Sequence, residues 1–135
     1  AAAQREAKRL SDRPGPYTVL ARRAVPIFVR ATSTLAQNQT KADQAFIACG
    51  LERYRRTHGD YPPPLEALVP PFVPRLPRDV IGGQPLHYRR TTDGKFVLYS
   101  IGWNEKDDGG TVAFSTDGKT VNGQEGDWVW LDPAK

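Results

Sequence analysis

The sequence predicts an α+β domain, with a helical first part followed by a run of short strands. Three observations lead there. Apolar residues recur at three-to-four spacing through Tyr17–Leu35 and again through Asn38–His58. From Asp79 onward the pattern changes to period two. Between the two regimes, residues 59–78 are punctuated by prolines. At 135 residues the chain is long enough to bury one core and too short for two comfortable ones. Residues 17–135 are therefore expected to form a single domain: a helical part over 17–58, a proline-rich connection over 59–78 and a sheet part over 79–135. Residues 1–16 are expected to be a linker or a frayed helix, ended by Pro14-Gly15-Pro16.

The first helical segment aligns Tyr17, Leu20, Ala24, Ile27 with Phe28, Ala31 and Leu35 along one seam. Pro26 interrupts it and removes the bond to the Arg22 carbonyl, so a kink or break is expected near Ala24–Val25. Packing inside the domain is the first expectation for this seam, and an oligomer or docking surface is the second. In Asn38–His58, Phe46, Ile47, Gly50, Leu51 and Tyr54 form a broad apolar face. Arg55, Arg56 and His58 followed by Gly59 are C-terminal signals. The two segments are separated by a break at 36–40 or join there as one kinked helix. Leu65–Val69 is expected to be a single helical turn with Leu65 and Leu68 inward, and Phe72, Val73 and Leu76 to plug one end of the core.

The strand region begins after a turn at Gly82-Gly83 and Pro85. Leu86–Thr91 and Lys95–Ile101 are expected to pair through a hairpin at Thr92-Asp93-Gly94. Lys95–Ile101 is apolar on both faces, which predicts a central strand covered on both sides. Thr111–Ser115 and Lys119–Val121 read as a second hairpin turned by Asp117-Gly118, and Asp127–Leu131 as a final short strand.

Composition excludes several functions. The net charge of +4 comes from scattered arginines, and pairs such as Arg89-Arg90 are too short for a nucleic-acid stripe. No apolar run approaches the ~18–20 residues of a membrane span, so any anchor is expected outside this chain. There is no phosphate loop, no G-x-S-x-G nucleophile and no zinc spacing around His58 or His87, so no enzyme is expected. The single cysteine, Cys49, lies among Phe46, Ile47 and Ala48 and is expected to be a buried, inert thiol. Trp103, Trp128 and Trp130 are expected in the core, with an aromatic ligand shelf as the alternative if one is exposed. Asn104, Glu105, Asp107 and Asp108 crowd before Gly109-Gly110, and Asp127 returns near the C-terminus. A solvated turn of local Asx hydrogen bonds is the first expectation for them, and oxygen ligands beside flexible glycines make Ca²⁺ the alternative.

Several of these stretches, in this order, resemble the periplasmic domain of major pseudopilins of type II secretion systems. They are the helix ending LERYRRTHGDYP, the LPRDVIGGQPLHYR turn and strand, DGKFVLYSIG, the acidic Gly-Gly loop and DWVW. The likeness spans about Ala42–Trp130 and is most specific at Gly59-Asp60-Tyr61-Pro62 and Gly94–Gly102. Val80-Ile81 stand where the family has a Pro-Trp pair. The resemblance implies a long N-terminal helix laid across a three- or four-stranded antiparallel sheet. It also implies an extracytoplasmic, non-catalytic assembly module, anchored to the inner membrane through segments absent from this chain and self-associating or docking through the helix. Finally, it implies a structural calcium ion held by Asp107, Asp108 and Asp127, with Asn104 next. The competing expectation is a ligand- or partner-binding domain appended to a larger membrane-anchored protein, working through a surface around the tryptophans.

Overall fold

The computed structural model describes residues 16–130, with side chains from Ala24 onward. The expected linker at 1–16 and the last residue of the expected Asp127–Leu131 strand fall largely outside this range. Within it the fold is α+β: one long helix, a three-stranded antiparallel sheet and a two-stranded one.

Helix α1 is continuous from Pro16 to His58, 43 residues or about 65 Å. Neither expected interruption is a break. Pro26 costs one hydrogen bond, but helix propagates cheaply from turns already formed on either side. No glycine or proline lies between Ile27 and Cys49, so nothing stops the helix at 36–40. It ends where the sequence says it should: Gly59 turns left-handed (φ 86°) and its N–H caps the Arg55 carbonyl at 2.7 Å.

The chain then returns along the helix. Tyr61 and Pro62 are buried, and the 3₁₀ turn Leu65–Leu68 buries both its leucines. Val73 packs directly on Gly50 of α1. Strands β1 (His87–Arg90), β2 (Phe96–Ser100) and β5 (Trp128–Val129) form the main sheet in the order β1-β2-β5. The central position of β2 is the one its two apolar faces predict. On one side, Leu98 joins Ile47, Leu51, Leu68 and Leu86 in the core. On the other, Val97 and Tyr99 are covered by Gly110 of the acidic loop and by the His87 ring, which stacks on Tyr99 at 4.9 Å.

Strands β3 (Val112–Phe114) and β4 (Val121–Gly126) form a separate hairpin. Its second strand starts where it was expected to end. The Asp117 carboxylate takes the Lys119 and Thr120 amides at 3.0 and 3.1 Å, which holds those residues in the turn and out of the ladder. The sequence VNGQEG has no apolar alternation of its own. Helix α1 holds β4 instead, through Gln37 Nε2 donating to the Gly123 carbonyl and Gln124 Nε2 donating to Ser33 Oγ.

Two side-chain expectations are corrected here. Cys49 is exposed, and so is Phe46, at 43 %. Both sit on the side of the helix away from Ile47 and Leu51, so neighbouring in sequence did not mean sharing a face. Two of the three tryptophans follow the core reading, while Trp103 is half-buried in the acidic loop and lies outside the core cluster. Trp128 is buried and donates from Nε1 to the Gly123 carbonyl, and Trp130 packs partly against the core.

Candidate functional site

The acidic loop leaves the end of β2 and returns to β3. Its entry needs a close backbone crossing. Gly102 has φ 68° and a Cβ there would lie 2.3 Å from the Gly126 carbonyl oxygen, while Gly126 itself has φ 67°. The two glycines let the start of the loop pass against the chain entering β5.

That crossing brings Asp127 under the loop. Its carboxylate is 2 % exposed and accepts three backbone amides: Gly110 at 2.6 Å, Asp108 at 3.1 Å and Thr111 at 3.3 Å. A ring of N–H groups aimed at one point is an anion cradle, filled here by a side chain of the same chain. Asp107 bends the other way. It accepts from Gly109 N at 2.9 Å and from the Tyr99 hydroxyl at 3.2 Å, and lies 3.6 Å from His87 Nδ1. The Gly109 amide, then the Tyr99 hydroxyl and His87, hold the Asp107 carboxyl below its usual range. Burial first, then Asp107, pushes the Tyr99 hydroxyl up. Asp108 accepts from Lys106 Nζ and from Asn104 Nδ2, each at 3.0 Å, and both lower its pKa. Asn104 Oδ1 in turn accepts the Lys106 amide at 3.1 Å.

All four residues singled out for calcium, Asn104, Asp107, Asp108 and Asp127, therefore belong to one loop system. Their oxygens do not converge. Each faces a donor, and for Asp108 that donor is an ammonium. Calcium wants six to eight oxygens around one point. Among the described residues no group of three or more His, Cys, Asp or Glu side chains is placed to hold a metal.

A second buried carboxylate was not singled out. Asp79, 4 % exposed, accepts from Ser100 Oγ at 2.9 Å, from Ile81 N at 2.9 Å and from Ile101 N at 3.2 Å. It clips the Gly82-Gly83 turn to the end of β2 and so fixes where the acidic loop departs. Its only signal in the sequence is an aspartate two residues before Ile81 at a turn, which is a common local pattern.

Two other surfaces are candidates. A cleft of about 230 Å³ lies between α1 and β4–β5, bordered by Gln37, Lys41, Gln44, Val121 and Trp128. It is smaller than the ~300–1,000 Å³ usual for small-molecule sites. The first half of α1 exposes Ile27, Phe28 and Leu35 at 67, 68 and 69 %. Among the described residues no helix is long and apolar enough to cross a membrane.

Neither family models nor curated proteins nor solved structures give a match to this chain.

Proposed function

We propose that this domain is a non-catalytic assembly module that docks through the outward face of α1, with the sheet and acidic loop as rigid support. The observation that carries the reading is the exposure of Ile27, Phe28 and Leu35 on one stripe of the helix. Large apolar side chains two-thirds open to water, aligned on one element, are what a partner surface leaves when the partner is absent. The same helix turns Ser33 and Thr40 toward the domain body, on the side opposite Phe28 and Leu35. An extracytoplasmic setting and inner-membrane anchorage through other segments come from the likeness to major pseudopilins. A structural calcium ion belongs to the reading only if residues 104–110 re-form around it, exchanging their present donors for the ion.

Site-specific photo-crosslinking in the intact cell envelope tests it. A photoreactive residue at position 28 or 35 is expected to give adducts, and one at Asp93 in the β1–β2 turn is not. No adduct from either helix position sinks the docking reading. Adducts centred on Gln37 and Val121 instead would favour the binding-domain alternative, with its ligand in the cleft beside Trp128.

A further inference from the structure

The cleft between α1 and β4–β5 carries more hydrogen-bonding capacity than the domain itself uses. Gln37 and Gln44 line it from one stripe of the helix, two turns apart. Both donate from Nε2, Gln37 to the Gly123 carbonyl and Gln44 to the Trp128 carbonyl. Neither Oε1 has a hydrogen-bond partner among the described residues, although Gln44 is 2 % exposed. Thr40 stands between them on the same stripe, 1 % exposed, and its hydroxyl is unpartnered too. Buried polar groups are normally paired, because leaving one unmade is costly. Two free acceptors on one cleft wall, one of them on a nearly buried side chain, call for an N–H donor from outside the domain.

The other wall is apolar and consists of Val112, Val121, Val129 and Trp128. Lys41, exposed at the border of the cleft between the two glutamines, forms no ion pair among the described residues. Asp127 also borders the cleft, but its carboxylate is spent on the amides of Asp108, Gly110 and Thr111. The charge left to be matched is therefore positive. Acceptors, a free ammonium and an apolar wall correspond to the N–H, the carboxylate and the side chain of one residue at the end of a peptide. At about 230 Å³ the space suits a single large side chain and falls short of a drug-sized ligand. We propose that the cleft captures the C-terminal residue of an extended peptide, its large apolar side chain against Val112, Val129 and Trp128 and its carboxylate on Lys41.

The rim favours a peptide over a free amino acid. Val121 is the register partner of Phe114, and the two are 48 and 57 % exposed. They carry the apolar wall out of the cleft onto the open hairpin. A free amino acid leaves that shelf bare, whereas the residue before the peptide's last one covers it. The site is separate from the stripe of Ile27, Phe28 and Leu35 and does not rest on docking through it.

The test is an NMR titration of the whole ¹⁵N-labelled chain with three probes. They are N-acetyl-alanyl-leucyl-phenylalanine with a free carboxylate, the same peptide as its C-terminal amide, and free phenylalanine. The Trp128 indole N–H, held on the Gly123 carbonyl at 3.0 Å, reports from the cleft wall. The acid is expected to shift the Trp128 indole and Gly123 amide signals and to saturate with a dissociation constant on the order of 0.1–1 mM. The amide is expected to bind at least about threefold more weakly, the scale of one exposed ion pair. Lys41→Gln, at an exposed position, is expected to keep the thermal midpoint and to remove the difference between acid and amide. Equal binding of acid and amide by the wild type, or a difference that survives in K41Q, overturns carboxylate capture by Lys41. Free phenylalanine binding as tightly as the tripeptide overturns the peptide as occupant. No shift at Trp128 or Gly123 with any probe overturns the site.

Discussion

Asp127→Ala removes the acceptor on which the acidic loop is hung. The wild-type carboxylate is 2 % exposed and takes amides from Asp108, Gly110 and Thr111, with the Gly110 contact the shortest at 2.6 Å. Hydrogen bonds to a charged acceptor contribute about 1.5–3 kcal/mol each, and donors left buried without one cost a similar amount. Three such bonds do not add fully, since the loop can relax and water can reach the exposed Thr111 at its edge. A loss of about 3–5 kcal/mol is expected. For a chain of this size each kcal/mol moves the melting midpoint by roughly 3–5 °C, so the fall is on the order of 10–20 °C. The three amides converge on one carboxylate oxygen, so Asp127→Asn can keep an acceptor for all of them; it loses the charge and turns its NH₂ toward the Asp108 amide alone, and should fall by about half as much. The assay is a thermal melt followed by circular dichroism, run in chelator and again in calcium. A fall of less than ~3 °C in chelator would show that the amides do not depend on this carboxylate. A fall that appears only with calcium present would refute the reasoning more directly, because Asp127 would then be an ion ligand and not the anchor of the loop. Hydrogen exchange gives a local check: the Gly110 amide should lose protection in the variant before the Leu98 amide in the central strand does.

Three further predictions concern the Asp79 turn, the Gly102 crossing and the titrating groups of the sheet and its loop. Asp79→Asn should destabilise by about 1–3 kcal/mol, since one of its oxygens faces both Ser100 Oγ and the Ile81 amide, and a double-mutant cycle with Ser100→Ala should show coupling above ~0.5 kcal/mol. Gly102→Ala should cost more than the ~1 kcal/mol of a positive φ alone, because its Cβ would also meet the Gly126 carbonyl; a melting midpoint within ~3 °C of wild type would contradict the close crossing. Stability should fall at both ends of the pH range. The Asp107 and Asp108 carboxyls are held below their usual value in the fold, so their contribution is present above about pH 4 and lost as pH falls through the folded values. Burial pushes the Tyr88 hydroxyl up to about 12, so its contribution is intact below about pH 10 and lost as pH rises from 10 towards 12. Denaturant midpoints across pH should show both limbs, and Tyr88→Phe should flatten the alkaline one.

The fold class, the helix end at Gly59, the inward Leu65 and Leu68 and the central place of β2 were all legible from local signals. Each rests on a period, a cap or a turn residue that acts within a few positions of itself. The continuity of α1 through Pro26 was not, because one missing hydrogen bond is weighed against every turn on either side. The start of β4 was missed for a related reason. Its residues have no apolar alternation, and what makes them a strand is a set of hydrogen bonds from Gln37 and to Ser33, far away in sequence.

For the acidic loop, the sequence by itself determined which residues crowd together and that Asp127 returns near them. Only the tertiary structure decided what their oxygens face. A carboxylate is equally suited to a cation or to a ring of amides, and the choice depends on where the backbone N–H groups point once Gly102 and Gly126 have let the chains cross. The helix divides in the same way. Its apolar periodicity is written in the residues, but which stripe is core and which is open depends on where the sheet docks, and burial of Ser33, Thr40 and Ile47 is what leaves Phe28 and Leu35 facing water.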